Sequence, residues 1–418
     1  MTLAAALRRG QPNCHDHGVE STTSKPRARE EREPATVAAE EERVTPLELF
    51  FDLVFVFAIT QVTALMADNT SWEGLGQGML VLAAIWWTWA AYSWLTNTID
   101  PDEDLARIAM FAAMTAMFIV ALAVPQAFGA DGILFACAYF VVRFLHIVVY
   151  AYASPSVDIS AAVKGLIPGV SLASGLLIVA GTQDGVVQAG LWCAALLFDY
   201  TAPLWGEQAW TVHPSHFVER YGLIVIIALG ESIVAIGLGL AKAPLDAVQL
   251  VAAGLGVMLA AALWWAYFDI VAIVAERKLR SLEGIEQAHL ARDSYSYLHL
   301  PLVAGIVLLA LGVKKVVGHV DSPLETVPAV ALCGGVALYL LAHIAFRFRN
   351  VGSVNRQRAL VAAICLALIP LALNADAVFA LAAITTVCVA LIVYEAVHFR
   401  EARERVRNGG LPESMMAG

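Results

Sequence analysis

The stretch Glu48-Leu-Phe-Phe-Asp52-Leu-Val-Phe-Val-Phe-Ala58-Ile-Thr60-Gln61 sets two carboxylates one helical turn apart inside an otherwise apolar run. A carboxylate held at the centre of a bilayer costs about 2.5–3.5 kcal/mol on insertion scales, so a chain that keeps one pairs it, protonates it or lines a wet path with it. Glu48 falls in the first turn of the helix, where the amino-terminal dipole accommodates an acid. Asp52, a turn deeper, has no such excuse.

The rest of the chain supports a membrane setting. Of 418 residues, 59% are apolar and only 15% charged, and about 20 consecutive apolar residues suffice to span the hydrocarbon. Twelve such runs are expected, at 47–67, 72–97, 105–126, 131–152, 159–180, 185–205, 217–241, 248–274, 294–315, 327–348, 358–375 and 377–398, with the sixth and eleventh weakened by Pro203 and Pro370. They are too long for barrel strands and lack period-two alternation. With an amino terminus in the cytoplasm, 22 of the 26 Lys and Arg residues fall on the inner side, which is the asymmetry an even number of spans produces when both termini are inside. The net charge of −10 and the absence of a basic patch argue against nucleic acid as a partner.

Residues 1–43 are rich in Arg, Glu, Pro, Ser and Thr, and read as a disordered cytoplasmic tail. Their opening apolar run is too short for a secretory signal, and Cys14, His15 and His17 read as part of the tail rather than a metal site. The six cysteines show no paired spacing, so neither a zinc site nor a disulfide framework is expected.

Weak internal similarities follow one another in order. Leu82-Ala-Ala-Ile-Trp86-Trp87 is matched by Leu259-Ala-Ala-Ala-Leu-Trp264-Trp265, Leu105-Ala-Arg107 by Leu290-Ala-Arg292, and Tyr139 by Tyr339. Glu48 and Glu219 stand at matching helix starts. The expected fold is therefore all-α and integral to the membrane, with two six-helix repeats at 44–206 and 207–400 and a cytoplasmic tail at 401–418. Six spans per unit make the repeats parallel.

A second motif, His213-Pro-Ser-His216-Phe-Val-Glu219-Arg220-Tyr-Gly222, continues through Leu229-Gly230-Glu231-Ser232. Arg220 and Glu231 share a helix face but lie about 16 Å apart along it, too far to pair. His213, His216 and Glu219 have ligand-like spacing, yet Pro214 marks a helix start and favours a capping and anchoring role. Asp269 follows Trp264-Trp265, and Asp199 and Glu395 lie near other helix ends. The tryptophans around Trp86 read as packing and interfacial residues.

Val44-Thr-Pro-Leu-Glu48-Leu-Phe-Phe-Asp52-Leu-Val-Phe-Val-Phe-Ala-Ile-Thr-Gln61 and His216-Phe-Val-Glu219-Arg220-Tyr-Gly-Leu-Ile-Val-Ile-Ile-Ala-Leu-Gly230-Glu231-Ser232-Ile resemble the two signature stretches of the bacterial low-temperature-requirement protein A family. That resemblance covers about residues 44–400 and implies a multi-pass protein of the bacterial inner membrane, associated with growth in the cold, without an assigned activity. The first helix is also similar to the Phe-Ser-Asp segment of the six-helix-repeat potassium channels of bacteria and lysosomes. Here Phe51 replaces the motif serine, Pro46 stands where the motif has arginine, and Leu223 stands where the second repeat would have an acid.

The channel similarity implies a pathway along two helix stripes. Glu48, Asp52, Phe55, Ile59 and Val62 would form one, and Glu219, Leu223, Ile226 and Gly230 the other, with Ile59 and Leu229 as an apolar gate that closes by dewetting. A proton- or cation-coupled transporter would instead use Asp52, Glu231 and Asp269 as carriers. A protein that transports nothing, and binds lipid or a partner in cold or stress adaptation, would neutralise its acids with Arg143, Arg220 and His343. No enzyme motif is present and no cofactor is called for. The expected partners are the lipid bilayer and a monovalent cation or proton, with a homo-oligomer left open.

Overall fold

The computed structural model describes residues 44–153, 157–204, 212–241 and 246–408. The expectations for residues 1–43, and for the end of the chain from 409, lie outside the described residues. Among the described residues every regular element is a helix, and eleven helices are long and apolar enough to cross a membrane.

Five of the first six expected spans correspond to α1 (Pro46–Asp68), α2 (Trp72–Thr96), α3 (Asp104–Ala123), α4 (Gly132–Ala153) and α6 (Gly185–Thr201), and the fifth falls on α5 (Val157–Ala180), which is not among the eleven. Pro203 ends α6 in a short 3₁₀ turn. The seventh span is α7 (Pro214–Leu240). Both α1 and α7 carry proline at their first position, where its missing N–H costs nothing and its fixed φ suits the helix. Thr45 caps α1 in a reciprocal box: its hydroxyl accepts from the Glu48 N–H while the Glu48 carboxylate accepts from the Thr45 N–H.

The later helices differ in detail from the expected spans. The span expected at 248–274 breaks after α8 (Ala247–Phe268), and a polar helix, α9 (Val271–Arg280), follows. Asp269 thus sits at a helix break within the candidate span Ala247–Arg280. The span expected from 294 begins ten residues earlier, with α10 (Gly284–Ala291) running through a π-turn at Arg292–Tyr297 into α11 (His299–Gly318). After α12 (Thr326–Val351), the eleventh span divides at Leu368 into α13 (Arg356–Ala367) and α14 (Ile369–Asn374), because Pro370 cannot continue the helix. Finally, α15 (Ala377–His398) is followed by α16 (Arg400–Arg407), a short helix in the part of the chain expected as a tail.

Packing separates the two sides of each helix. On α1 the acids and Phe55, Ile59 and Val62 are buried, whereas Leu49, Phe50 and Leu53 are exposed. That is the pattern a lipid solvent selects: apolar side chains face outward and polar groups are confined to the interior. Small residues allow the closest approach, between α11 and α12. A Cβ added to Gly305 would lie 2.7 Å from the Gly335 carbonyl oxygen, and one added to Gly335 would lie 2.7 Å from the Gly305 oxygen, so the two backbones touch without intervening side chains. Helix α1 packs on α2, α3, α7 and α11, which puts its polar face against the second half of the chain.

Candidate functional site

The inner face of α1 meets α7 at a cluster of buried ions. Arg220 on α7 is wholly buried. Its Nη1 lies 3.0 Å from Glu48 Oε1 and its Nη2 donates to Asp52 Oδ1 at 2.9 Å. One guanidinium thereby serves both carboxylates of the opening stretch, using the fork geometry that makes arginine suited to this task. Trp89 on α2 donates its indole N–H to Asp52 Oδ1 at 2.9 Å, and the guanidinium carbon stands 5.8 Å from the Trp89 ring. The tryptophan read as packing is therefore also a polar ligand.

His216, one turn before Arg220, completes the arrangement. Its Nε2 is 3.0 Å from Glu48 Oε2 and its Nδ1 is 3.2 Å from Asn97 Nδ2. Asn97 is oriented by the backbone, since its Oδ1 accepts from the His213 N–H at 2.9 Å and its Nδ2 donates to the His213 carbonyl at 3.2 Å. The amide nitrogen therefore faces His216 Nδ1, making that nitrogen the acceptor and assigning the ring proton to Nε2, directed at Glu48. The motif thus acts as an anchor: His216 turns to Glu48, while exposed Glu219 accepts from the Val44 N–H at 3.3 Å. Among the described residues no group of three or more His, Cys, Asp or Glu side chains is arranged to hold a metal.

Further along the same interface the chemistry changes. Glu231 is buried, and Thr60 of α1 donates to its Oε2 at 2.6 Å. The same hydroxyl lies 3.1 Å from the Val56 carbonyl. Thr63 also reaches Glu231, and Lys314 of α11 is the cation whose charge acts on it. Between this group and the Arg220 cluster lie Phe55, Ile59, Ala228 and Leu229, all buried.

Other sequence-predicted residues are elsewhere. Glu219, Leu223 and Ile226 do not face α1. They line an open cleft with Glu276 and Arg280, because α7 turns the face of His216, Arg220 and Glu231 toward α1 instead. Asp269 binds Arg403, at 2.5 Å, and Arg407 of α16, at the wall of a cavity of about 360 Å³ that also includes Arg358 and Glu395. Asp199 pairs with Arg143 and accepts from Tyr139. None of these joins the α1/α7 site.

Sequence reasoning missed Asn97, Trp89 and Ser296. The last is a hub on the π-turn: its carbonyl accepts from Trp86, its hydroxyl from Trp94, and Tyr221 stands 3.0 Å from that hydroxyl. A signal existed in the indoles, since a buried Trp N–H requires an acceptor.

The family model for the bacterial low temperature requirement A protein matches residues 43–393 and thus includes both helices of this site. The chain belongs to that family. The chain is also 28% identical over 310 residues to the uncharacterized protein RA0937 of Rhizobium meliloti (strain 1021), a match covering 70% of this chain and 74% of the relative. No solved structure matches. Family membership and the eleven apolar helices identify a multi-pass membrane protein.

Proposed function

We propose that this protein carries a proton or monovalent cation across the bacterial inner membrane, with Glu231 as the group that gains and loses the proton and the Glu48–Arg220–Asp52 cluster as a fixed ionic latch beside it. The observation that carries the reading is the hydrogen bond between Glu231 and Thr60. A hydroxyl can serve either protonation state of a carboxylate. When Glu231 is ionised, Thr60 donates to it at 2.6 Å. When Glu231 is protonated, the bond reverses, Glu231 donates to the hydroxyl, and the hydroxyl proton turns to the Val56 carbonyl 3.1 Å away. The Thr60 side chain need not move between the two states, and its hydroxyl keeps an acceptor in both.

Burial supports the same reading. An intramembrane acid held by hydroxyls in the bundle interior marks proton relays and ion pathways more often than scaffolding. A passive open pore fits less well, since Phe55, Ile59 and Leu229 close the α1/α7 interface. Coupled movement needs that closure, because access must alternate between the two sides.

The test is a flux assay with purified protein in vesicles loaded with a pH-sensitive dye, under imposed K⁺, Na⁺ and H⁺ gradients. Wild-type protein is expected to collapse at least one gradient with saturation, and Glu231→Gln, which keeps the shape and the hydroxyl contact, to slow it by about tenfold or more. Equal rates for wild type, Glu231→Gln and empty vesicles would overturn the proposal.

A further inference from the structure

A separate cavity of about 70 Å³ lies among the later part of α2, the middle of α4, the end of α10 and the π-turn, and its ionisable lining residues are all basic: Arg143, His146, His289 and Arg292. The deepest is Arg143, only 2% exposed. Its Nη2 binds Asp199 Oδ1 at 2.5 Å, while Tyr139 donates to Asp199 Oδ2 at 2.7 Å. Both carboxylate oxygens are thereby committed, and Arg143 Nε and Nη1 meet no acceptor. Neither ring nitrogen of buried His146 makes a well-formed hydrogen bond. Buried donors of this kind are rare without a partner.

The mouth of the cavity adds charge. His289 is exposed, and Arg292 shares a single carboxylate, Asp293, with Arg349. Two guanidinium groups against one carboxylate leave one positive charge there. Trp87 and Trp94 line the cavity, Trp87 buried against Tyr200 and Trp94 donating to Ser296. The volume corresponds to several waters at about 10–15 Å³ each, the scale of one small oxyanion.

We propose that this cavity binds a phosphate-type oxyanion, supplied either by the headgroup of an anionic lipid or by free phosphate. Arg143 provides its unpartnered Nη1 from below as a charge-assisted donor while Nη2 stays on Asp199, and Arg292 and His289 close on the anion from the mouth.

Two probes distinguish the sources in the full-length protein. Inorganic phosphate is titrated calorimetrically into protein in detergent, and thermal unfolding is compared between nanodiscs of phosphatidylcholine alone and nanodiscs containing phosphatidylglycerol. A saturable phosphate isotherm identifies free phosphate, and a phosphatidylglycerol-dependent rise in unfolding temperature identifies the headgroup. In either case the double variant Arg292→Gln/His289→Gln, altered only at the accessible mouth, is expected to weaken the effect about tenfold or more. Arg143→Lys, which retains the charge opposite Asp199 but loses the fork, is expected to do the same. Absence of both effects, or effects of equal size in wild type and both variants, would overturn the proposal.

Discussion

At one end of the α1/α7 interface two carboxylates are buried against a single guanidinium, and about two turns further along α1 a third is buried against hydroxyls. The first arrangement is permanent, because arginine stays charged under any condition the cell meets and its two partners gain nothing by protonation while it remains. The second changes with one proton. Within a single helix pair, then, the acids that look most costly in the sequence are held by a guanidinium, and the quieter one, Glu231, is held by a hydroxyl.

The largest effect should come from breaking the lock. Arg220→Met leaves Glu48 and Asp52 facing each other without a cation, and removal of one member of a buried ionic group costs about 3–5 kcal/mol. The expected result is a sharp loss of folded protein after detergent extraction, followed by size-exclusion chromatography. A normal yield would mean that the cluster contributes little to the fold. At the other end, Thr60→Val is expected to leave the yield near wild type while reducing proton-coupled flux several-fold, since the hydroxyl that serves both states of Glu231 is gone. If both variants behaved alike in both assays, the division between lock and carrier would collapse.

The apolar layer between the two regions provides a third test. Ile59→Asn and Leu229→Asn should hydrate the interface and raise cation leak several-fold in vesicles, as polar substitution does at a dewetting barrier. Unchanged leak in both would show that no pathway passes there. The smallest effect is expected at Asp269. Asp269 pairs with Arg403, both side chains only 12% exposed, and with the more exposed Arg407, so Asp269→Asn should cost about 1–3 kcal/mol in thermal unfolding, less than loss of the wholly buried Arg220, and flux should be unaffected. A large flux defect would instead place α16 in the transport cycle.

Much of this architecture was legible in the chain. Hydropathy located the spanning helices, and Pro203 and Pro370 marked the places where two of them end or divide. The burial of Asp52 followed from its position one turn inside an apolar helix. What stayed hidden was which face of α7 meets α1. Leu223 and Ile226, at least partly exposed, are as apolar as Ile224 and Val225, which are buried, so a helix surrounded by lipid carries little periodicity to read. The stripe through Glu219 was therefore assigned to the interface that Arg220 occupies. The break at Asp269 and the π-turn at Arg292–Tyr297 also lack a Pro or Gly signal. They arise where tertiary hydrogen bonds, such as those converging on Ser296, outweigh local preference.

The ionic lock joins residues 168 positions apart, Glu48 and Asp52 on one side and His216 and Arg220 on the other. At about 5–20 residues per second, roughly 8–34 seconds separate synthesis of α1 from synthesis of its counter-charge. During that interval the nascent first helix carries two acids and no guanidinium. It must remain protonated, shallow or sheltered by the insertion machinery until α7 emerges, so the order of assembly is written into the same four side chains that join the two helices in the finished protein.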